Sequence, residues 1–155
     1  MANVTKGPGT YLLLLCLEED REIIMGRLGT LLFPRGYYLY VGSARGPGGL
    51  RARLARHRQR GKHPRWHIDY LRGHAKLIEI WAVESDERLE CLWAQHLAQL
   101  SQGRPIPHFG GSDCRCPSHL FHFREKPSHG QFAYSLPQAN LLADLTVLAQ
   151  EAQLC

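Results

Sequence analysis

Nine of the nineteen lysines and arginines fall between residues 45 and 72, where Asp69 is the only acid. They are Arg45, Arg51, Arg53, Arg56, Arg58, Arg60, Lys62, Arg65 and Arg72, with His57, His63 and His67 among them. A field this positive attracts a polyanion and speeds its encounter. It also fits a solvated basic face. Phosphodiester hydrolysis needs an activated water, charge relief on the phosphate and help for the departing oxygen. The planar fork of Arg53 can bond two phosphate oxygens together. His57 and His67 can bind phosphate or move protons. Ser43, Arg51, Arg56, Arg60 and Lys62 are candidate nucleic-acid contacts around the same segment.

The elements that must position these groups follow from pattern. Thr10 to Leu17 is one apolar run and predicts a buried strand. Glu22 to Met25 and Gly29 to Phe33 predict a hairpin around Gly26. Tyr37 to Val41 predicts a strand stopping at Gly42. Tyr11 and Tyr40 therefore both sit on strands. A Gly/Pro loop, Ser43 to Gly49, leads into a helix from Leu50 to about Arg60, with Leu50 and Leu54 on its apolar face. Pro64 to Leu71 and Glu87 to Leu100 predict further helices, with a strand from Lys76 to Val83 between them. Ser101 to Ser118 reads as a loop, Leu120 to Phe123 as a strand, and Phe132 to Leu136 as another. Pro137 is placed to start a last helix reaching about Ala152, with Leu141, Leu142, Leu145 and Leu148 on one face. The order predicts one α+β domain, 1–155: a small, mainly antiparallel sheet flanked by helices.

Four ordered blocks carry a resemblance. They are Gly9-Thr10-Tyr11; Tyr40-Val41-Gly42 with Ser43-Ala44; Arg53-Leu54-Ala55-Arg56-His57; and Glu90-Cys91-Leu92-Trp93. In that order and spacing the chain resembles the GIY-YIG endonuclease superfamily. Phe33-Pro34-Arg35-Gly36-Tyr37-Tyr38, Gly46-Pro47-Gly48-Gly49-Leu50, Trp66-His67-Ile68-Asp69-Tyr70-Leu71 and Phe109-Gly110-Gly111-Ser112-Asp113-Cys114-Arg115-Cys116 look like its Uri-type branch, long labelled a domain of unknown function. The likeness covers about 7–123 and leaves 124–155 as a C-terminal strand and helix extension.

The resemblance implies a metal-dependent nuclease. It casts Tyr11 as general base, Tyr40 as its partner on the phosphate or in the proton network, Arg53 as the phosphate clamp, and Glu90 as the ligand of one Mg²⁺ or Mn²⁺. A phenol with a pKa near 10 needs neighbouring cations to ionise, and the Arg53 helix can supply them. Members of this branch can be fused to DNA-repair enzymes, which implies DNA ahead of RNA. Two departures stand out. An insertion of about Arg21 to Arg35 separates the tyrosine motifs. The superfamily's late asparagine has no counterpart, since Asn3 and Asn140 lie outside matching segments; Ser112 or Asp113 can substitute. Without cleavage, the same scaffold would be a nucleic-acid-binding domain.

Each residue has a structural alternative. Tyr11 and Tyr40 can be strand aromatics, Arg53 part of a solvated face, Glu90 an exposed helix residue, and His67 a partner of Asp69. Asp113, Cys114, Cys116, His119 and His122 suggest zinc, but Cys-x-Cys is tighter than the usual ligand spacing, so zinc is not the expected cofactor. The 155 residues carry a net charge of +5 and five cysteines without framework spacing. The run from Tyr11 to Leu17 is too short to span a bilayer, and no membrane partner is expected. A reducing cytoplasm is the expected compartment.

Overall fold

A computed structural model describes residues 4–100, 102–107, 109, 116, 118–136 and 145–150. Six strands form the main sheet: β1 (Gly9–Leu17), β4 (Gly36–Ala44), β5 (Lys76–Glu84), β6 (Arg104–Pro105), β7 (Leu120–Phe123) and β8 (Thr146–Ala149). Their spatial order is β6-β7-β4-β1-β5-β8, and every pairing is antiparallel. The α+β architecture expected from the sequence is present.

The central strand shows why an unbroken apolar run folds this way. Every residue of β1 is buried, because both faces of the sheet are covered. Tyr11, Leu13, Leu15 and Leu17 face one core. Leu12, Leu14 and Cys16 face the other. The first core is closed by α1 (Gly49–Arg58), α2 (His67–Arg72) and a separate hairpin of β2 (Arg21–Ile24) and β3 (Thr30–Phe33). The second is closed by α3 (Glu90–Gln99) and α4 (His129–Ser135). Full burial of a Leu side chain contributes about 1.5–3 kcal/mol, so the β1 leucines make this strand the anchor of the fold.

The insertion between the two tyrosines is the β2–β3 hairpin. It pairs only with itself among the described strands, so it leaves the register of β1 with β4 unbroken from Gly9↔Ala44 to Leu17↔Gly36. β4 does not stop at Gly42 but runs on to Ala44, because Gly42 is paired opposite Tyr11.

The C-terminal part departs from expectation. Residues 132–136, read as a strand, instead fall in α4 (His129–Ser135) and its C-cap Leu136, the helix being opened by Ser128, whose Oγ accepts the Gln131 amide at 3.1 Å. Residues 146–149, read as the end of a helix from Pro137, form β8 against β5. Leu148 faces the first core and Leu145 packs on the second, so the leucine spacing serves sheet packing. Residues 137–144 and 151–155, including Leu141 and Leu142, lie outside the described residues.

Candidate active site

The site is built at the end of the sheet where β1 begins. Tyr11 Oη lies 2.7 Å from His57 Nε2, which reaches down from α1. Both residues are 1% exposed. Gly42 makes room for this pair: a Cβ there would stand 2.3 Å from the Tyr11 ring. Tyr40 is half-buried beside them, its ring 6.2 Å from that of His57. Arg53 Nη1 donates to the Ser43 carbonyl at 2.9 Å. The Arg53 guanidinium also acts on the Tyr11 phenol through its charge and lies 4.7 Å from the centre of the Trp66 ring.

Electrostatics decide the protonation states. Burial pushes Tyr11 well above the ordinary phenol value; Tyr40 and Glu90 add to this, and Arg53 only partly offsets it. Tyr40 is raised by burial first and by Glu90 second. The sequence had pointed to Arg53 as the cation that would ionise Tyr11, but desolvation outweighs it. His57 is dropped to about 3, mainly by burial, so its imidazole is neutral at neutral pH. Its burial also removes it from direct phosphate contact in this conformation.

Glu90 opens α3 and acts on both phenols through its charge. Its Oε1 is 2.9 Å from His119 Nδ1, with the carboxylate 30% exposed. The carboxylate and the two phenols offer oxygen donors, which suit Mg²⁺ or Mn²⁺. Glu90 is the residue that would hold such an ion.

The basic segment is less free than its composition suggests. Asp69 Oδ2 accepts from Arg56 at 2.9 Å and from the amides of Arg65 and Trp66 at 2.8 and 3.0 Å. Lys62 Nζ lies 3.7 Å from Asp69 Oδ1. Burial alone would raise the Asp69 pKa, but these bonds and charges hold it below the usual carboxylate range. Two of the expected nucleic-acid contacts, Arg56 and Lys62, are thus already paired. Arg60 donates to the Ala75 carbonyl and Arg51 to that of Val4. Arg72 is buried and ties together the carbonyls of His57, Arg58 and Ala75. A concavity lined by Arg60, Lys62, Asp69, Arg72 and His74 lies near the end of α1, but most of its cations serve these structural contacts. Ser43 contributes its carbonyl to Arg53. His67 stands exposed at the start of α2, its ring 6.0 Å from that of Phe109.

The glycine-rich loop also has a structural role. Gly48 and Gly49 have φ of +84° and +58°. A Cβ on Gly49 would strike the Lys6 and Gly7 carbonyl oxygens at 2.0 and 2.3 Å. The amides of Leu50 and Arg51 donate to the carbonyls of Gly7 and Thr5. The first turn of α1 is thereby capped by the N-terminal segment, not left open to a phosphate.

The chain belongs to the family described as Domain of unknown function DUF123. That family matches residues 10–140, which takes in the site and reaches beyond the stretch that carried the resemblance. No curated protein and no solved structure matches the chain. Among the described residues no helix is long and apolar enough to cross a membrane.

Sequence reasoning missed three participants. Trp66 was read only as a bulky helix residue, yet the guanidiniums of Arg53, Arg56 and Arg65 lie 4.7, 4.8 and 5.3 Å from its ring centre. An aromatic set among arginines was the available signal. Asp69 was visible as the lone acid and was read as a partner of His67, but its pairing with Arg56 and Lys62 was not inferred. Cys91 was quoted only as the neighbour of Glu90; no spacing in sequence ties it to Cys116.

Proposed function

We propose that this chain is a metal-dependent endonuclease of the GIY-YIG, Uri-like type, cutting phosphodiester bonds in nucleic acid, DNA ahead of RNA. The observation that carries the reading is the gathering of Tyr11, Tyr40, Arg53 and His57 from β1, β4 and α1, with the Glu90 charge felt by both phenols. The preference for DNA rests on the family resemblance.

The attacking water must lose a proton and the ester oxygen must leave. Tyr40, the more exposed phenol, orients the water. Tyr11 accepts the water proton while passing its own to His57 Nε2, so no free phenolate has to form. Both phenols stay protonated and the imidazole is neutral and so able to accept, while its burial opposes the charge it takes on and makes that state transient. Arg53, fixed by Ser43 and Trp66, clamps the phosphate oxygens as negative charge grows. A divalent ion bound at Glu90 would supply charge relief to the phosphate and the departing oxygen.

The test is cleavage of supercoiled plasmid, branched DNA and structured RNA with Mg²⁺ or Mn²⁺, beside Arg53→Ala and Glu90→Ala. Cutting that disappears in both variants supports the reading. Cutting that persists unchanged in both belongs to a contaminant, and no cutting with any substrate or ion rejects it. A second reading, a non-cleaving nucleic-acid-binding domain, is favoured by the arginine-ringed Trp66. Salt-dependent binding that survives Glu90→Ala, with no cleavage, selects it.

A further inference from the structure

One cluster has no part in that chemistry. Cys91 lies one residue into α3, Cys116 precedes β7, and His119 adjoins its start. A ligand atom from each lies within 4.8 Å of the others. Around a tetrahedral zinc ion, bonds of about 2.3 Å to sulfur and 2.0 Å to nitrogen put ligand atoms roughly 3.5–3.8 Å apart. A contraction of about 1 Å would therefore close the cluster on a metal. Cys116 Sγ already approaches the Cys91 carbonyl at 3.5 Å.

His119 supplies an independent pointer. Its Nδ1 faces Glu90 Oε1 at 2.9 Å, whereas its Nε2 is buried without a hydrogen-bond partner among the described residues. A buried polar nitrogen with no partner costs stability, and it belongs to a ring that stands with two cysteines. A carboxylate holding one histidine nitrogen so that the other meets a cation is the common outer arrangement of metal sites.

We propose that Cys91, Cys116 and His119 Nε2 bind a borderline-soft divalent cation, zinc foremost, in a structural site that fixes the orientation of Glu90. The ligand set differs from the one suggested by sequence spacing. His122 Nε2 is taken by the Arg35 carbonyl at 2.9 Å, and Cys91 enters from another element. Cys114, the other residue of the Cys-x-Cys pair, lies outside the described residues. Two sulfur ligands select zinc over the hard ions that suit Glu90. The fourth position is left to water or a further ligand. The site stands whether or not the chain cleaves nucleic acid.

The sulfur of Cys91 is in a disulfide, while that of Cys116 is not. The metal form therefore belongs to the reduced protein. Two exchange steps with a thiol reductant convert the disulfide into two protein thiols and oxidise the reductant to its own disulfide. Binding then displaces a proton from each ligating thiol.

The experiment uses the full chain, reduced and stripped of metal, with Zn²⁺ or Co²⁺ alone as probe. We expect one equivalent of Zn²⁺, and a Co²⁺ form showing thiolate charge-transfer and tetrahedral visible bands. Cys91→Ser, Cys116→Ser and the oxidised protein should each lose those bands. Glu90→Gln should weaken binding about 10- to 100-fold, as loss of an outer partner does. Should a serine variant fail to fold, wild-type thiols are alkylated with and without Zn²⁺, and protection of Cys91 and Cys116 is expected. No stoichiometric zinc, a Co²⁺ spectrum without the thiolate band, binding unaltered in the cysteine variants, or equal alkylation would each overturn the site. Metal content and spectrum are read without any nuclease assay, so failure here is distinct from failure of the hydrolase reading.

Discussion

The Tyr11 hydroxyl and His57 Nε2 stand 2.7 Å apart in the core between β1 and α1. His57 Nδ1 has no partner among the described residues, so Tyr11 provides the histidine's hydrogen bond. Tyr11→Phe leaves a buried ring nitrogen unsatisfied. The expected cost is about 1–3 kcal/mol of stability. Cleavage should fall by about 100-fold or more through loss of the proton relay. Thermal unfolding beside plasmid cutting checks both. Unchanged stability would mean that the bond contributes nothing to the fold.

The same histidine predicts a pH dependence. Burial lowers its folded pKa from 6.5 to about 3, so the unfolded chain binds the extra proton between those values. Stability from His57 is therefore complete above about pH 6.5 and lost as pH falls towards 3. Denaturant midpoints measured across that range should drop for wild type. His57→Gln should be less stable at neutral pH but show a shallower drop. Parallel curves would refute the assignment. Asp69, also held low, continues to contribute acid sensitivity in both proteins.

Glycine positions separate packing from flexibility. Gly42→Ala places a methyl 2.3 Å from the Tyr11 ring, whereas Gly46→Ala meets nothing within 4 Å and needs no positive φ. The first change should cost about 1–3 kcal/mol by overpacking and displace Tyr11. The second should stay within about 0.5 kcal/mol of wild type. Paired thermal melts decide this, and equal melts would show that β4 yields without strain.

Local signals carried most of the fold. The apolar run of β1, the turn around Gly26 and the apolar spacing of α1 each have one physical reading, and the structure follows them. The C-terminal segment failed for a different reason. Leu145 and Leu148 satisfy helical spacing, but the open edge of β5 offers Thr146–Ala149 a ladder that periodicity cannot reveal. Phe132 looked strand-like by residue type, yet the Ser128 cap sets a helix and turns its ring onto Trp93, with ring centroids 5.3 Å apart. At the site, the positions of Tyr11, Tyr40, Arg53 and His57 were legible from ordered motifs. Their protonation was not, because desolvation depends on what covers them. The neutralising role of Asp69 and the approach of Cys91 to Cys116 likewise exist only once helices and strands are packed.

Asp69 opposes folding to binding. Asp69→Asn removes the anion that holds Arg56 and Lys62, and weakens the acceptor for the Arg65 and Trp66 amides. Breaking a buried pair costs about 3–5 kcal/mol, and exposure of the Arg56 partner places this case at or below the lower end. Polyanion affinity should nonetheless rise at low salt, with the salt slope steepening by up to about two for two released cations. Titrations at several salt concentrations, run where the variant is folded by circular dichroism, measure this. Weaker binding with an unaltered slope would place those two cations outside the nucleic-acid contact.

Trp66 can report on ligand binding by its own fluorescence. Trp81 and Trp93 are fully buried, while Trp66 is half-buried under three guanidiniums. A single-stranded oligonucleotide that draws those arginines to its phosphates, or stacks a base on the ring, should change the emission. The change should vanish in Trp66→Phe. Trp66→Ala should further weaken binding by about 1–3 kcal/mol if a base stacks there, but only by about 0.5–1 kcal/mol if the ring merely orders Arg53. The two magnitudes separate a stacking platform from a positioning role. Emission that responds equally in wild type and Trp66→Phe would move the contact elsewhere, since the other two indoles lie in the core.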